Sequence, residues 1–529
     1  MTPADRPDPS PGTTRAAAIA FAVAVVAAIP MWLVFGRNSW FFLDEWDFLS
    51  ARSLTSLHDL FRPHNEHWST LPIIAYRVFW QVFGIRTYWP YLMAIVALHV
   101  TAAVLLRVVM RRAGAHPWLA DAGALLFLLL GSGYQNILWA FQIGFVGSLV
   151  FGLGFLILTD HDGPFDRRDA IGLGLGACAL MCSGVGVTLV VVVALSVLIR
   201  RGWRLALVLS TPLGAAFAIW WLAVGRDGYE NSIRPSARQL VDFMARAVAN
   251  AMTKMGSLGI VAVLLAAVLL VGAALLLGDP AQRATRTWAA PFALAVGAVV
   301  FAAITGMGRA GAFGSEAAKP SRYVHLICAM LLPAIVVAGD ALARRWRPAL
   351  PIVAVLLLVG VPANVAAGAS KNTLEERVLM GNEPLVEALP VVDVSEQVPG
   401  SVQPDRNLLL DVTNQWLRAG NRSGRISEPA HLRPRVAGVA RTRLALEQVL
   451  DDSVPTRCAP LRGRTRITLR KGQHLRLRGG DATIRMVHAG KLGPAVVYVR
   501  LGRARLVARL PNVQFTVRPF GSKVLQRCR

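Results

Sequence analysis

Apolar runs of roughly 18 residues or more recur along the first ~370 positions of this 529-residue chain, and that is the length an α-helix needs to cross a bilayer. A backbone passing through hydrocarbon must satisfy its own hydrogen bonds, so recurrent runs of this kind restrict the fold to a bundle of membrane helices. Composition agrees. Of all residues 54% are hydrophobic and only 16% are charged, against about a quarter charged in ordinary soluble chains.

Eleven spans are expected, at 16–35, 88–108, 118–132, 143–159, 170–183, 185–199, 205–224, 256–277, 289–306, 323–339 and 349–367. The fifth and sixth are short and meet at "CSGVG" (Cys182–Gly186), which also reads as one re-entrant hairpin. The run from Ala16 to Phe35 is too long for a signal-peptide core and reads as a retained helix. The start before it, residues 1–15, is polar and proline-rich and is expected to be a disordered cytoplasmic tail.

The loops give the sidedness. Arg107, Arg111 and Arg112 share one exit; Arg167 and Arg168, Arg200, Arg201 and Arg204, Arg283 and Arg286, and Arg344, Arg345 and Arg347 fill the others on that side. Basic residues gather in cytoplasmic loops. The N-terminus is therefore expected in the cytoplasm and the C-terminal part outside it, while the Ala-, Arg- and Val-rich usage points to a high-GC bacterium and so to a multi-pass protein of its plasma membrane. These arginines also account for much of the net charge of +25. With no stacking-aromatic motif beside them, no nucleic-acid partner is expected.

Polarity collects on the outer side. The first outer loop, residues 36–87, carries "NSWFFLDEWDFLS" with Asp44, Glu45 and Asp47. Carboxylates at a membrane boundary are costly to desolvate and keep company with water, a cation or a reacting proton. One can act as a general base, and Asp44 with Asp47, spaced i and i+3, can hold a divalent cation such as Mg2+ or Mn2+. The same loop carries "RPHNEHW", with His64, Glu66 and His67. Zinc spacing is absent, so these groups are expected to line a polar cavity and bind substrate or its phosphate. After them Leu71, Ile74, Ala75, Val78, Phe79 and Val82 recur at helical spacing, the pattern of a helix lying at the membrane surface. A late outer loop, "GMGRAGAFGSEAAKPSRY", offers Arg309, Lys319, Arg322 and Tyr323. The guanidinium fork matches phosphate oxygens.

Residues 368–529 are expected to form a separate soluble, β-rich domain with strands at "TRITLR", "QHLRLRG", "AVVYVRLG" and "ARLVARL". Lys371 to Thr456 holds ten basic and twelve acidic residues, whereas Arg457 to the end holds eighteen basic residues and one acid, Asp481. That basic face suits anionic lipid headgroups or an anionic wall polymer, or is simply a solvated sheet surface. Cys458 and Cys528 can pair as a disulfide in an oxidising compartment, while Cys178, Cys182 and Cys328 lie in apolar runs as packing residues.

In arrangement the chain resembles the GT-C membrane glycosyltransferases over residues 16–367. "LDEWD" looks like the acidic motif these enzymes carry after their first helix, "LPIIAYRVFW" resembles their juxtamembrane helices, and "SRY" is similar to a donor-phosphate region. The resemblance implies a polyprenyl-phosphate-linked sugar as donor, a cell-wall glycan, lipid or protein as acceptor, and inversion at the anomeric carbon. It implies Asp44 as base, with Glu45 or Asp47 holding a cation or the acceptor hydroxyl. Arg309 and Arg322 would neutralise the donor phosphate, assisted by Tyr323 and His64. Two other classes stay open: a transporter or flippase of lipid-linked sugars, which should show polar groups at mid-membrane, and a non-catalytic cell-envelope assembly protein.

Overall fold

Ser10 and Pro11 start the first helix. The Ser10 hydroxyl accepts the Thr13 N–H at 3.2 Å, Pro11 occupies the first turn, and the helix runs Pro11–Phe35. The tail expected over 1–15 is therefore helical from Pro11, and residues 1–9 lie outside the described residues. The structure, a computed structural model, describes residues 10–228, 233–370, 382–451, 453, 457–461, 463–478, 480–488, 490–499, 501, 504–520 and 525–528. It is mostly helical, 65%, with a C-terminal sheet region.

Among the described residues eight helices are long and apolar enough to cross a membrane: Pro11–Phe35, Trp89–Arg112, Ala140–Thr159, Trp203–Ala223, Gly259–Gly278, Ala289–Phe313, Ser321–Arg345 and Ala349–Ala369. Each of the eleven expected segments falls on helix, but three are shorter than this. Pro117–Leu128 has 12 residues, Arg167–Leu180 has 14 and Val185–Arg201 has 17. A 14-residue helix is about 21 Å long. The last two form a tight antiparallel hairpin. Gly186 allows it, because a Cβ there would lie 2.4 Å from the Ala179 carbonyl oxygen. A further helix, Ala237–Gly256, occupies what reads in sequence as loop. Ser236 and Gln239 close a capping box at its start, and Phe243, Ala247, Ala251 and Met255 form its buried face. Charged residues such as Arg238 and Asp242 lie outside that face, which removes the long apolar run that would mark it as a span.

The chain divides into two compact units. The first comprises Met1–Arg37, Leu60–Pro72 and Tyr91–Asn372. The second comprises Asn38–Asp59, Ile73–Pro90 and Thr373–Arg529. The expected division at residue 368 thus differs in one respect: most of the first long loop groups with the C-terminal part. The reason is aromatic packing. Trp416, on the helix Asn414–Arg422, stacks on Trp80 at 4.5 Å and meets Trp46 edge-on at 6.4 Å. Arg425 adds a carbonyl for the Ile85 N–H at 2.8 Å and a 2.6 Å bond to Gln81.

Among the described residues, ten antiparallel-paired strands follow the helix Pro434–Ala445: β1 Leu446–Leu450, β2 Cys458–Pro460, β3 Thr465–Arg470, β4 His474–Arg478, β5 Ala482–His488, β6 Lys491–Leu492, β7 Val496–Tyr498, β8 Ala504–Ala508, β9 Asn512–Pro519 and β10 Gln526–Cys528. One sheet has the order β1-β8-β4-β10-β2; the other has β3-β9-β5-β6, with β7 also on β5. Alternation positions the core. In β3 Ile467 and Leu469 point inward and Arg466, Thr468 and Arg470 outward. Leu475, Leu477 and Leu506 of the first sheet share one core with Ile467, Ile484, Val513 and Phe515 of the second. Cys458 and Cys528 sit opposite one another in β2 and β10 and form a disulfide.

Candidate functional site

In the first unit the short "HNEH" turn builds a polar cluster. His64 and His67 exchange backbone hydrogen bonds at 3.1 and 3.0 Å, and Asn65 takes φ 50°, a left-handed value that asparagine tolerates. The turn projects Glu66, whose Oε1 accepts a 2.9 Å bond from Arg309 Nη2. Arg309 lies late in the helix Ala289–Phe313 and also hydrogen-bonds Tyr323. His67 Nδ1 accepts the Gly184 N–H at 3.3 Å, which ties the turn to the start of the helix Val185–Arg201. Both guanidinium charges, Arg309 and Arg322, act on His67.

The electrostatics favour an anion. Burial depresses the His67 imidazole to about 4, helped by His64, Arg309 and Arg322 against the opposing Glu66 charge. His67 is therefore neutral near pH 7. Burial works to raise the Glu66 carboxyl, but the charges of His67 and Arg309 and two hydrogen bonds outweigh it, and it lies below its usual range. With Glu66 ionised and His67 neutral, the two arginines leave the cluster with one net positive charge.

Arg322 is held from behind. It lies in the first turn of the helix Ser321–Arg345, and its N–H and Nη1 each reach Gln135 Oε1 at 3.4 Å. Its guanidinium packs over the Tyr323 ring at 5.0 Å. Asn136 Nδ2 donates to the Arg322 carbonyl at 3.0 Å and to His325 Nδ1 at 3.2 Å. A chain of bonds continues from there. His325 Nε2 lies 3.0 Å from His99 Nδ1, and His99 Nε2 lies 3.1 Å from the Leu128 carbonyl, which also accepts from Trp32 at 3.0 Å. A carbonyl only accepts, so His99 carries its hydrogen on Nε2; His325 must then donate from Nε2 and accept at Nδ1. Each donor in this buried chain points the same way. Lys319, by contrast, pairs with Glu316 at 2.5 Å on an exposed turn.

The acidic motif belongs to the second unit, where its three carboxylates have different fates. Glu45 is fully buried. Its Oε1 accepts from Tyr76 at 2.5 Å and Tyr88 at 2.9 Å, and its Oε2 takes the Phe42 N–H at 2.8 Å. Asp47 is buried against Arg52, whose Nε reaches both carboxylate oxygens at 3.1 and 3.0 Å and whose Nη2 bonds Oδ2 at 2.7 Å. That guanidinium already bonds both oxygens of Asp47, the carboxylate expected to share a cation with Asp44. Asp44 itself is half-buried at the N-cap of the helix Glu45–Ser50, and its side chain does not cap that helix. Glu45 and Asp47 therefore hold the motif in shape through Tyr76, Tyr88 and Arg52.

Sequence reasoning did not single out Gln135, Asn136, His99, His325, Tyr76, Tyr88 or Arg52. Two signals were there to read: histidines inside apolar helices, and the pair Gln135–Asn136 in an apolar stretch, both of which need partners. No family model, curated protein or solved structure matches the chain.

Proposed function

We propose that this chain is an integral membrane glycosyltransferase that moves a sugar from a polyprenyl-phosphate donor to an extracytoplasmic acceptor, with inversion. The observation that carries the reading is the Arg309–Glu66 pair, which joins the "HNEH" turn to the "SRY" region and gathers His64, Glu66, His67, Arg309, Arg322 and Tyr323 into one cluster of net positive charge. A leaving polyprenyl phosphate needs positive charge more than a general acid, and two arginines beside a helix start supply it. Asp44 is the proposed base, the role that the likeness of "LDEWD" to the acidic motif of GT-C enzymes gives it. No bound cation enters this reading.

Membrane embedding and sidedness belong to the same proposal. The helix Thr70–Phe83 buries Ile73, Tyr76 and Trp80 and leaves Val78 and Val82 exposed, at 44% and 60%. An apolar stripe turned outward suits a helix lying in the headgroup region.

A second reading, transport of a lipid-linked sugar, draws on one observation: the His99–His325–Asn136 chain puts buried polar groups inside the helical bundle. One experiment separates the two. Purified protein in nanodiscs is tested for binding of a short-chain polyprenyl phosphate and for sugar transfer. Arg309→Ala and Arg322→Ala should each weaken binding at least tenfold, whereas Asp44→Ala should keep binding and lose transfer. Binding indifferent to both arginines sinks the proposal. Translocation in sealed vesicles that survives Asp44→Ala, with no transfer by the wild type, moves the reading to transport.

A further inference from the structure

The loop His161–Asp166 lies far along the chain from every residue assigned to sugar transfer, and it contains an electrostatic conflict. It joins the helix Ile143–Thr159 to the helix Arg167–Leu180. His161 Nδ1 is 2.9 Å from the Asp162 carbonyl oxygen. Because a carbonyl only accepts, that ring nitrogen carries the hydrogen, and in the neutral imidazole Nε2 presents a lone pair. Nε2 makes no hydrogen bond. It points instead at two carboxylates, 3.3 Å from Asp169 Oδ1 and 3.7 Å from Asp166 Oδ1, and the imidazole side chain is only 10% exposed. Three electron-rich atoms converge on one point. All three lie within 4.8 Å of one another.

We propose that His161 Nε2, Asp166 Oδ1 and Asp169 Oδ1 together bind one divalent transition cation of the Zn2+ type. One nitrogen and two carboxylate oxygens suit Zn2+ better than Mg2+ or Ca2+, which take oxygen alone. Zinc–ligand bonds of about 2.0–2.2 Å put neighbouring tetrahedral ligands about 3.3–3.5 Å apart. The His161–Asp169 separation of 3.3 Å has that spacing and the His161–Asp166 separation of 3.7 Å is slightly wider, so side-chain adjustment at Asp166 closes the site. Three protein ligands leave a fourth position for water.

The surrounding arginines form an outer layer around the site. Arg201 holds Asp169 with 2.7 and 2.9 Å bonds, and Arg168 holds Asp166 Oδ2 at 3.0 and 2.7 Å. Each carboxylate oxygen has two lone pairs, so Arg201 can occupy one on Asp169 Oδ1 and the cation the other. The Asp169 side chain also closes the capping box at the Asp166 N–H, at 2.9 Å. Arg200 pairs with Asp160 and Asp162, and Arg112 also acts on Asp160, so four aspartates face four arginines and the local charge balances until a cation binds. Metal-binding carboxylates and histidines are oriented by such outer partners. The bound ion would fasten His161, which follows one helix, to Asp166 and Asp169, which begin the next, with Arg201 clamping the end of the helix Val185–Arg201 onto them.

The test uses full-length protein in detergent, with any affinity tag removed, dialysed against a chelator and then titrated with Zn2+. The wild type should retain one equivalent that His161→Asn lacks, with affinity at that site lowered at least tenfold. Asparagine keeps an amide donor for the Asp162 carbonyl and removes Nε2, so it isolates the ligand. Asp166→Asn, at a half-exposed position, should weaken the same equivalent and serves if His161→Asn does not fold. Co2+ in place of Zn2+ should give visible absorption bands that both variants lose. Zn2+ binding equal in the wild type and both variants, or no equivalent in the wild type, overturns the proposal. So does a 15N signature showing His161 protonated on both nitrogens at saturating Zn2+.

Discussion

Glu45, Asp47 and Asp44 look alike in sequence, and their partners give them different consequences. Glu45 receives two tyrosine hydroxyls in a buried setting, and a hydrogen bond to a charged group contributes about 1.5–3 kcal/mol. Tyr76→Phe should therefore lower stability by about that much, read as a fall in thermal midpoint. Arg52→Ala should cost more, about 3–5 kcal/mol, because it removes the guanidinium from a buried carboxylate. Asp44→Asn should remove transfer. If Asp44→Asn unfolds the protein while Tyr76→Phe is silent, the division of roles is reversed. His67 gives a pH prediction. Its folded value, about 4, lies below the ordinary 6.5, so between these values the unfolded chain binds the extra proton. Stability is then fully present above pH 6.5 and is lost as pH falls toward 4. Melting curves from pH 4 to 7 should show this slope, and His67→Gln should flatten it. The spacing at 44, 45 and 47 announced a polar cluster. It could not announce which acid meets Arg52 and which meets Tyr76 and Tyr88, since those partners come from other turns of chain.

At the scale of elements, strong periodicity was legible and amphipathic or interrupted helices were not. "TRITLR" alternates in and out as a half-buried strand must, and it is β3; "QHLRLRG", "AVVYVRLG" and "ARLVARL" contain β4, β7 and β8. The helix Ala237–Gly256 escaped because its charged face breaks the apolar run that a search for spans requires. The helix Ser321–Arg345 was expected, but its anchoring through Asn136, His325 and His99 was not, because hydrogen bonds between residues about 190 and 226 positions apart leave no local pattern. This chain predicts a specific ranking. His325→Leu removes a buried donor and a buried acceptor, each costing about 1–3 kcal/mol when its partner is left unsatisfied. It should loosen the first turn that carries Arg322 and weaken polyprenyl-phosphate binding together with stability. Gln at position 325 keeps an Nε2 donor for His99 and should recover part of both. Equal losses for Leu and Gln would show that the ring's shape matters and its hydrogen bonds do not.

At the scale of the whole molecule, the apolar helices and the C-terminal sheet region were legible in composition and alternation, whereas the grouping of most of the first long loop with the C-terminal residues was not. Residues 38–59 and 73–90 join the C-terminal unit through Trp46, Trp80 and Trp416, contacts that no window of sequence can contain. The disulfide is the other long-range tie, and it carries the last prediction. Cys458 and Cys528 are separated by 70 positions and close almost the entire run of β2 through β10 into one covalent loop. Closing a loop of that size restricts the unfolded chain by about 4 kcal/mol in the chain-entropy model. The sandwich also has few other means of fixing its ends, since β2 and β10 are only three residues each and β2 lies at the edge of its sheet. Reduction of the full-length protein, or Cys458→Ser with Cys528→Ser, should therefore expose β2 and β10 to amide exchange first and shift the unfolding of the sheet region downward, while the helices of the first unit keep their protection. Hydrogen exchange resolved by peptide reads both parts in one experiment. Loss of protection spread evenly through the helices instead would mean that the two units unfold as one, and that the loop closure stabilises more than the sandwich it encloses.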